Sequence, residues 1–329
     1  MAAFLALGTV RAMSGYLDHV ELLTGDASQD VLDAMRAQKD RIEQGLRERG
    51  AVLLRGYGAT DPNTAAESLN VLGGGLLDDA FWSTPRSGVT GKTFTATEYP
   101  KARTIALHSE MAYMSGWPRF LAFHSIDVAD QGGETSIANL DQVSAALGPI
   151  LDEFATKGVT YRRTYRAGID IPWQKAFQTE DPKEVESIAA KNGMRATWLP
   201  DSVLQTAHDA QGAVKAEDGR WLWFNQAHVF HVSNVPAQHR KMLSDMFGAD
   251  QLPRDATYGD GSTIPDDVVK TVHKVLTEHT LPVQWQPGDV LIIDNMRYMH
   301  GRLPFEGTRK LHVAMSTGHS EPVRTPAFG

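Results

Sequence analysis

Pro287-Gly288-Asp289-Val290-Leu291-Ile292-Ile293-Asp294-Asn295-Met296-Arg297-Tyr298-Met299-His300-Gly301-Arg302 is the stretch on which the fold turns. Pro-Gly-Asp makes a tight turn, because proline presets φ and glycine accepts the conformation other residues avoid. Val290 to Ile293 is then an apolar run too short for a helix, and it reads as a buried strand. Asp294 and Asn295 break it, and His300 emerges just beyond. Short strands of the same kind flank it. Upstream are Lys92–Tyr99, Ile105–Tyr113, Arg119–Val128 and Glu134–Ile137; around it lie Arg220–Phe224, Val283–Trp285 and Lys310–Ser316.

Two helix-rich regions interrupt the strands. The first runs from Ser28 to Glu48, with Asp26 or Ser28 as cap and Val31, Leu32, Met35, Ile42 and Leu46 as its apolar face. It is followed by the strand Ala51–Arg55 and by a helix beginning at Asp61-Pro62. The second is an insertion over about 140–280. Its helices start at Asp181-Pro182, near Gln238 and after Pro265. Strands on both sides of one helical insertion predict a mainly β chain with helical insertions, of the β-barrel or jelly-roll kind. The expected layout is an N-terminal tail over 1–20 and one catalytic domain over 21–329.

Composition narrows the function. The chain has 329 residues with 42% hydrophobic and 22% charged, ordinary for a globular protein. A net charge of −8 without a basic block argues against nucleic-acid binding. The absence of cysteine excludes disulfides, thiolate metal sites, iron–sulfur clusters and cysteine nucleophiles. The apolar start Met1–Val10 is short and has no basic residue before it, unlike a signal peptide, and Met13 is an alternative initiator. No run approaches a membrane span. The expectation is a cytoplasmic protein with no membrane partner.

His108-Ser109-Glu110 carries the chemistry. In a strand, residues i and i+2 face the same side, so imidazole and carboxylate can converge. A third ligand must come from elsewhere, and His300 is the candidate. Two histidines and one carboxylate leave positions open for a chelating cosubstrate and oxygen, the arrangement of iron(II) oxygenases. Zinc accepts the same donors, so a zinc hydrolase or isomerase on a cupin-like barrel stays open here. So does a non-catalytic binding barrel.

Ordered blocks then bring a resemblance. They are Thr97-Glu-Tyr-Pro100, His108-Ser-Glu-Met-Ala-Tyr113 with Trp117-Pro118, Gly132-Gly-Glu-Thr-Ser136, Phe224-Asn-Gln-Ala-His228 with His231, Tyr258-Gly-Asp-Gly261, and the run from Pro287 to Phe305. Together they resemble the clavaminate synthase-like and taurine dioxygenase-like superfamily of 2-oxoglutarate-dependent oxygenases, most of all the branch of the syringomycin-pathway aspartyl hydroxylase. The resemblance implies a double-stranded β-helix (jelly roll, cupin-like) and Fe(II) on His108, Glu110 and His300. It implies 2-oxoglutarate and O2 as cosubstrates, with Arg309 on the far carboxylate of 2-oxoglutarate and Thr135 assisting. Relatives that halogenate lack the carboxylate, so Glu110 points to hydroxylation, desaturation or ring-forming oxidation of an amino acid or its derivative in specialised metabolism. Clavaminate synthase-like enzymes often grip a substrate carboxylate with an arginine four positions after the cosubstrate arginine. Here that position is Val313. A masked carboxylate, such as a carrier-protein thioester, is one reading; Arg86, Arg297 or Arg302 replacing the missing arginine is another. Met111, Tyr113, Trp117 and Asn225 are further candidates for the substrate pocket. His228, His231 and His312 read as structural.

Overall fold

In the computed structural model, residues 15–77, 88–90, 92–96, 99–114 and 116–317 are described. Seven strands form the larger sheet. Its central members are Ala51–Arg55, Val290–Asp294, Phe120–Asp127 and Lys310–Met315, with Glu21–Thr24 at one edge and Thr93–Thr95 and Gly88–Thr90 at the other. Leu281–Val283, Thr135–Asn139, Tyr298–Arg302 and Ile105–His108 form a second, antiparallel sheet in that order.

Alternation along the strands sorts the side chains into three cores. Ala51, Leu53, Leu121, Phe123, Leu291, Ile293, Leu311 and Val313 face inward and meet Ile137, Leu281, Val283 and Tyr298 of the smaller sheet. Their neighbours Val52, Leu54, Ala122, Val290, Ile292 and Ala314 face the other way, onto Val31, Met35, Ile42, Leu46 and Leu69 of the N-terminal helices. On the far side of the smaller sheet, Leu107, Ala138 and Met299 pack into the insertion. The inner strands are thus buried on both faces, which is why they read as continuous apolar runs.

Several sequence expectations shift. The helix expected over 28–48 is two, Val31–Ala37 and Lys39–Glu48, separated at Gln38. Its cap is Asp30, whose carboxylate accepts from the Leu32 and Asp33 N–H groups. The next helix starts at Thr64 rather than at Pro62. Within the stretch read as tail, Tyr16 and Val20 are buried. The insertion also holds its own four-stranded antiparallel sheet of Arg195–Leu199, Val203–Ala210, Val159–Tyr165 and Arg254–Tyr258. These strands carry Arg, Asp and His among their apolar residues, which hid them from a search for apolar runs. Among the described residues, no helix is long and apolar enough to cross a membrane.

Candidate metal centre

His300 sits inside the strand Tyr298–Arg302, not beyond a broken one. Asp294 and Asn295 turn the chain back, and the strand re-enters the smaller sheet between Thr135–Asn139 and Ile105–His108. There His300 lies directly opposite His108, with ring centroids 4.4 Å apart. The pairing shifts between His300 and Arg302, so two residues of the neighbouring strand oppose Gly301. Such a bulge re-aims the side chains beside it. A Cβ on Gly301 would come within 2.5 Å of the Ile105 carbonyl, so only glycine fits this close strand approach.

Glu110 arrives differently from the sequence expectation. The strand ends at His108, Glu110 lies in a turn, and Met111 has φ +57. Side chains from distant segments fix this departing backbone. The Asn295 amide pairs with both backbone groups of Glu110, accepting from its N–H at 2.7 Å and donating to its carbonyl at 3.0 Å. Gln226 donates to the Ser109 carbonyl, Gln211 to that of Ala112, His228 to that of Leu107 and His208 to that of Tyr113. All five side chains are buried. Burial holds the His228 imidazole down to about 3, so it is neutral and keeps one N–H for this bond.

His108, Glu110 and His300 each offer one ligand atom, and these atoms lie within 4.8 Å of one another. The His108 Nδ1–H group donates to the Ala106 carbonyl at 2.8 Å, which leaves Nε2 for coordination. His300 Nε2 stands 3.7 Å from a Glu110 carboxylate oxygen. Two imidazoles and a carboxylate converging from one side fit a divalent iron, with open positions toward the adjoining cavity.

That cavity is lined by the three residues together with Ile105, Phe123, Thr135, Arg302, Arg309, Leu311 and Val313. Arg309 donates to the Gly133 carbonyl at 2.7 Å and to the Thr135 hydroxyl at 3.3 Å. Among the described residues no carboxylate pairs with it. Burial and the neighbouring Arg302 push its guanidinium down to about 10, partly opposed by Glu134. It remains a cation at neutral pH, in need of an anion. Thr135 Oγ also accepts from the Trp285 indole at 3.0 Å. With both lone pairs engaged, its own O–H is left to donate.

The remaining candidates scatter. Arg297 donates to the carbonyls of Leu46, Arg47 and Glu48 and so caps the helix Lys39–Glu48; it does not line the cavity. Met111 is buried in the core on the insertion side, and Trp117 packs on Phe224 at 4.8 Å. Tyr113 lines a separate cavity with Tyr161, His208 and Phe230. Asn225 is spent on the Gly212 carbonyl and the Ala227 N–H. These four belong to the packing behind the metal segment. Arg302 and Val313 do line the cavity, and Arg86 lies outside the described residues. Sequence reasoning missed Asn295 altogether. Its only signal was a polar residue following a buried strand, which also describes an ordinary strand end.

Residues 20–315 match the family model described as taurine catabolism dioxygenase TauD, TfdA family. The chain is 38% identical over 309 residues to the dapdiamide synthesis protein DdaC of Enterobacter agglomerans, covering 93% of each. It is 29% identical to a clavaminate synthase-like protein of Arabidopsis thaliana, over 85% of this chain and 86% of that one. Among solved structures, an asparagine oxygenase in complex with Fe(II), 3-hydroxyasparagine and succinate superposes with a TM-score of 0.52 at 13% identity, over 90% of this chain and 93% of that one. At that identity the likeness speaks to the fold alone.

Proposed function

The chain belongs to the TauD, TfdA dioxygenase family and is a 2-oxoglutarate-dependent dioxygenase that uses iron(II); we propose that it hydroxylates an unactivated C–H bond of an amino acid or amino-acid derivative in specialised metabolism. The observation that carries the reading is one cavity lined by His108, Glu110, His300, Arg309 and Thr135 together. The two facing sheets are, on this reading, the halves of a double-stranded β-helix, with the metal at one end. The similarity to a dapdiamide synthesis protein supports an amino-acid-derived substrate.

His108, Glu110 and His300 hold the iron. When bound, iron(II) with 2-oxoglutarate and dioxygen supplies the oxidising equivalent, with succinate and carbon dioxide as by-products. The protein's own part is placement. Arg309 takes the far carboxylate of the cosubstrate through parallel N–H bonds, and the Thr135 O–H donates to the same group. Ile105, Phe123, Leu311 and Val313 form an apolar wall that keeps water from the reacting carbon. With iron bound, Glu110 would supply the carboxylate donor whose absence would leave room for a halide. Val313 is 2% exposed in that wall. The arginine route to a substrate carboxylate is therefore closed at this position, and that carboxylate is either masked, as on a carrier protein, or held elsewhere in the cavity.

The test is oxygen uptake coupled to succinate formation from 2-oxoglutarate. It should require iron(II) and fail with zinc. Arg309→Gln is expected to raise KM for 2-oxoglutarate by about 10–100-fold, the value of a charge-assisted pair, with partial recovery in Arg309→Lys. Hydrolysis or isomerisation supported by zinc alone would sink the proposal.

A further inference from the structure

We propose that Arg302 is a second anion site in the cavity and holds a carboxylate of the substrate, an inference that rests on the dioxygenase reading above. Strand alternation puts Arg302 on the face of the smaller sheet that carries His300, two residues away. It lies in register with Thr135 on one side and Ile105 on the other, and it lines the same cavity as the metal residues and Arg309.

Arg302 is 5% exposed. Its terminal nitrogens donate to the carbonyls of Tyr99 at 3.0 Å, Pro100 at 2.7 Å and Arg103 at 2.6 Å. The Phe305 ring stands 5.0 Å from its central carbon. The groups it touches, three backbone carbonyls and one ring, are all neutral. They fix the guanidinium in place without cancelling its charge. Among the described residues no carboxylate pairs with Arg302, and its buried Nε–H has no hydrogen-bond partner.

Following the charges through the loaded site isolates this group. The two charges of iron(II) meet Glu110 and the chelating carboxylate of 2-oxoglutarate. The charge of Arg309 meets the distal carboxylate. Glu134, the other carboxylate that acts on Arg309, belongs to the wall of the adjoining cavity and makes no ion pair with Arg302. Among the described residues that line the cavity, Arg302 is then the one cation still without a counter-ion. A buried charge is retained at a cost unless it is paired, and Arg302 lines the cavity in which substrate must bind. Val313 and Leu311 on the opposite sheet offer only apolar contact. The substrate carboxylate that Val313 cannot hold therefore belongs on the Arg302 side.

The tether to Tyr99, Pro100 and Arg103 is also structural, so the test must read charge recognition and not folding. The protein loaded with Mn(II) and 2-oxoglutarate is titrated, without oxygen, with the common L-amino acids and their α-carboxamides by calorimetry. At least one acid is expected to bind about 10-fold or more tightly than its neutral partner, as for a charged hydrogen bond. Discrimination against the α-amide marks the α-carboxylate. Discrimination of aspartate or glutamate against asparagine or glutamine marks a side-chain carboxylate. Arg302→Gln should abolish the preference while 2-oxoglutarate still binds, and Arg302→Lys should keep part of it. If Arg302→Gln does not fold, the lysine variant decides: a preference reduced but not lost supports the site, and an unchanged one overturns it. Acids bound no better than amides, no acid bound at all, or a preference that survives Arg302→Gln would also overturn it. Failure of wild type to bind Mn(II) or 2-oxoglutarate would count instead against the dioxygenase reading.

Discussion

His300 and Glu110 deliver donor atoms to one point, but their backbones are held there by opposite means. The strand of His300 has a ladder partner on each side, Thr135–Asn139 and Ile105–His108. Beyond His108 the segment that carries Glu110 leaves the ladder, and four side chains, those of Asn295, Gln226, Gln211 and His208, take over between Ser109 and Tyr113. A ladder is made by generic backbone groups and tolerates most side-chain changes. A clamp made of side chains is specific, and each member can be deleted singly. One ligand therefore rests on the fold at large and the other on named residues.

The largest expected effect is the loss of a ligand. Glu110→Ala should lower iron affinity by more than the ~100-fold typical of supporting residues, as read by anaerobic calorimetry, and should abolish succinate formation. Acid should next test the ladder side. His124, in a strand paired on both edges, is fully buried, and burial pushes its imidazole down to about 4. Its folded value is below the unfolded one. Its contribution is thus complete above pH ~6.5, falls as pH drops toward 4, and changes no further below. The loss is about 3 kcal/mol, visible in urea unfolding at pH 7.5 and 4.5, and His124→Gln should reduce that difference.

Asn295→Ala leaves both backbone groups of Glu110 buried without these partners. It should cost ~1–3 kcal/mol of stability and weaken metal binding by ~10–100-fold. The matching change on the ladder side is Tyr298→Phe, which removes the hydroxyl with its bond to the His19 carbonyl and its interaction with the Asn139 side chain. It should cost ~0.5–1.5 kcal/mol in Tm-derived stability and leave metal affinity unchanged. Equal losses of metal affinity in the two variants would erase the distinction.

The same distinction explains what the sequence disclosed. The inner strands were legible because burial on both faces leaves apolar runs such as Val290–Ile293. His108 and Glu110 were found through a strand periodicity that Glu110 does not obey; they converge because the chain turns after His108. The clamp was out of reach, since Asn295 and Glu110 are 185 positions apart and Gln226 and Ser109 are 117 apart. No local pattern links such pairs. The insertion sheet was missed because its strands mix charged with apolar residues, as in Val159-Thr-Tyr-Arg-Arg-Thr-Tyr165. Met111, Tyr113 and Trp117 stand beside the metal segment in sequence, yet they pack against the insertion, because the chain turns at Glu110; Asn225 belongs to the insertion itself and is spent on Gly212 and Ala227.

The glutamines and histidines that hold the metal segment from the insertion side have a thermodynamic corollary. Gln211, Gln226, His208 and His228 do not line the cavity, yet they grip the backbone at Ala112, Ser109, Tyr113 and Leu107, around two of the ligands. Metal occupancy and the packing of the insertion against the metal segment are therefore linked functions, and linkage is reciprocal. Whatever loosens the insertion must weaken the metal by the same factor with which the metal tightens the insertion. Amide exchange along Val203–Ala210, measured with and without a divalent ion, would read the strength of the iron site from a sheet that does not reach it.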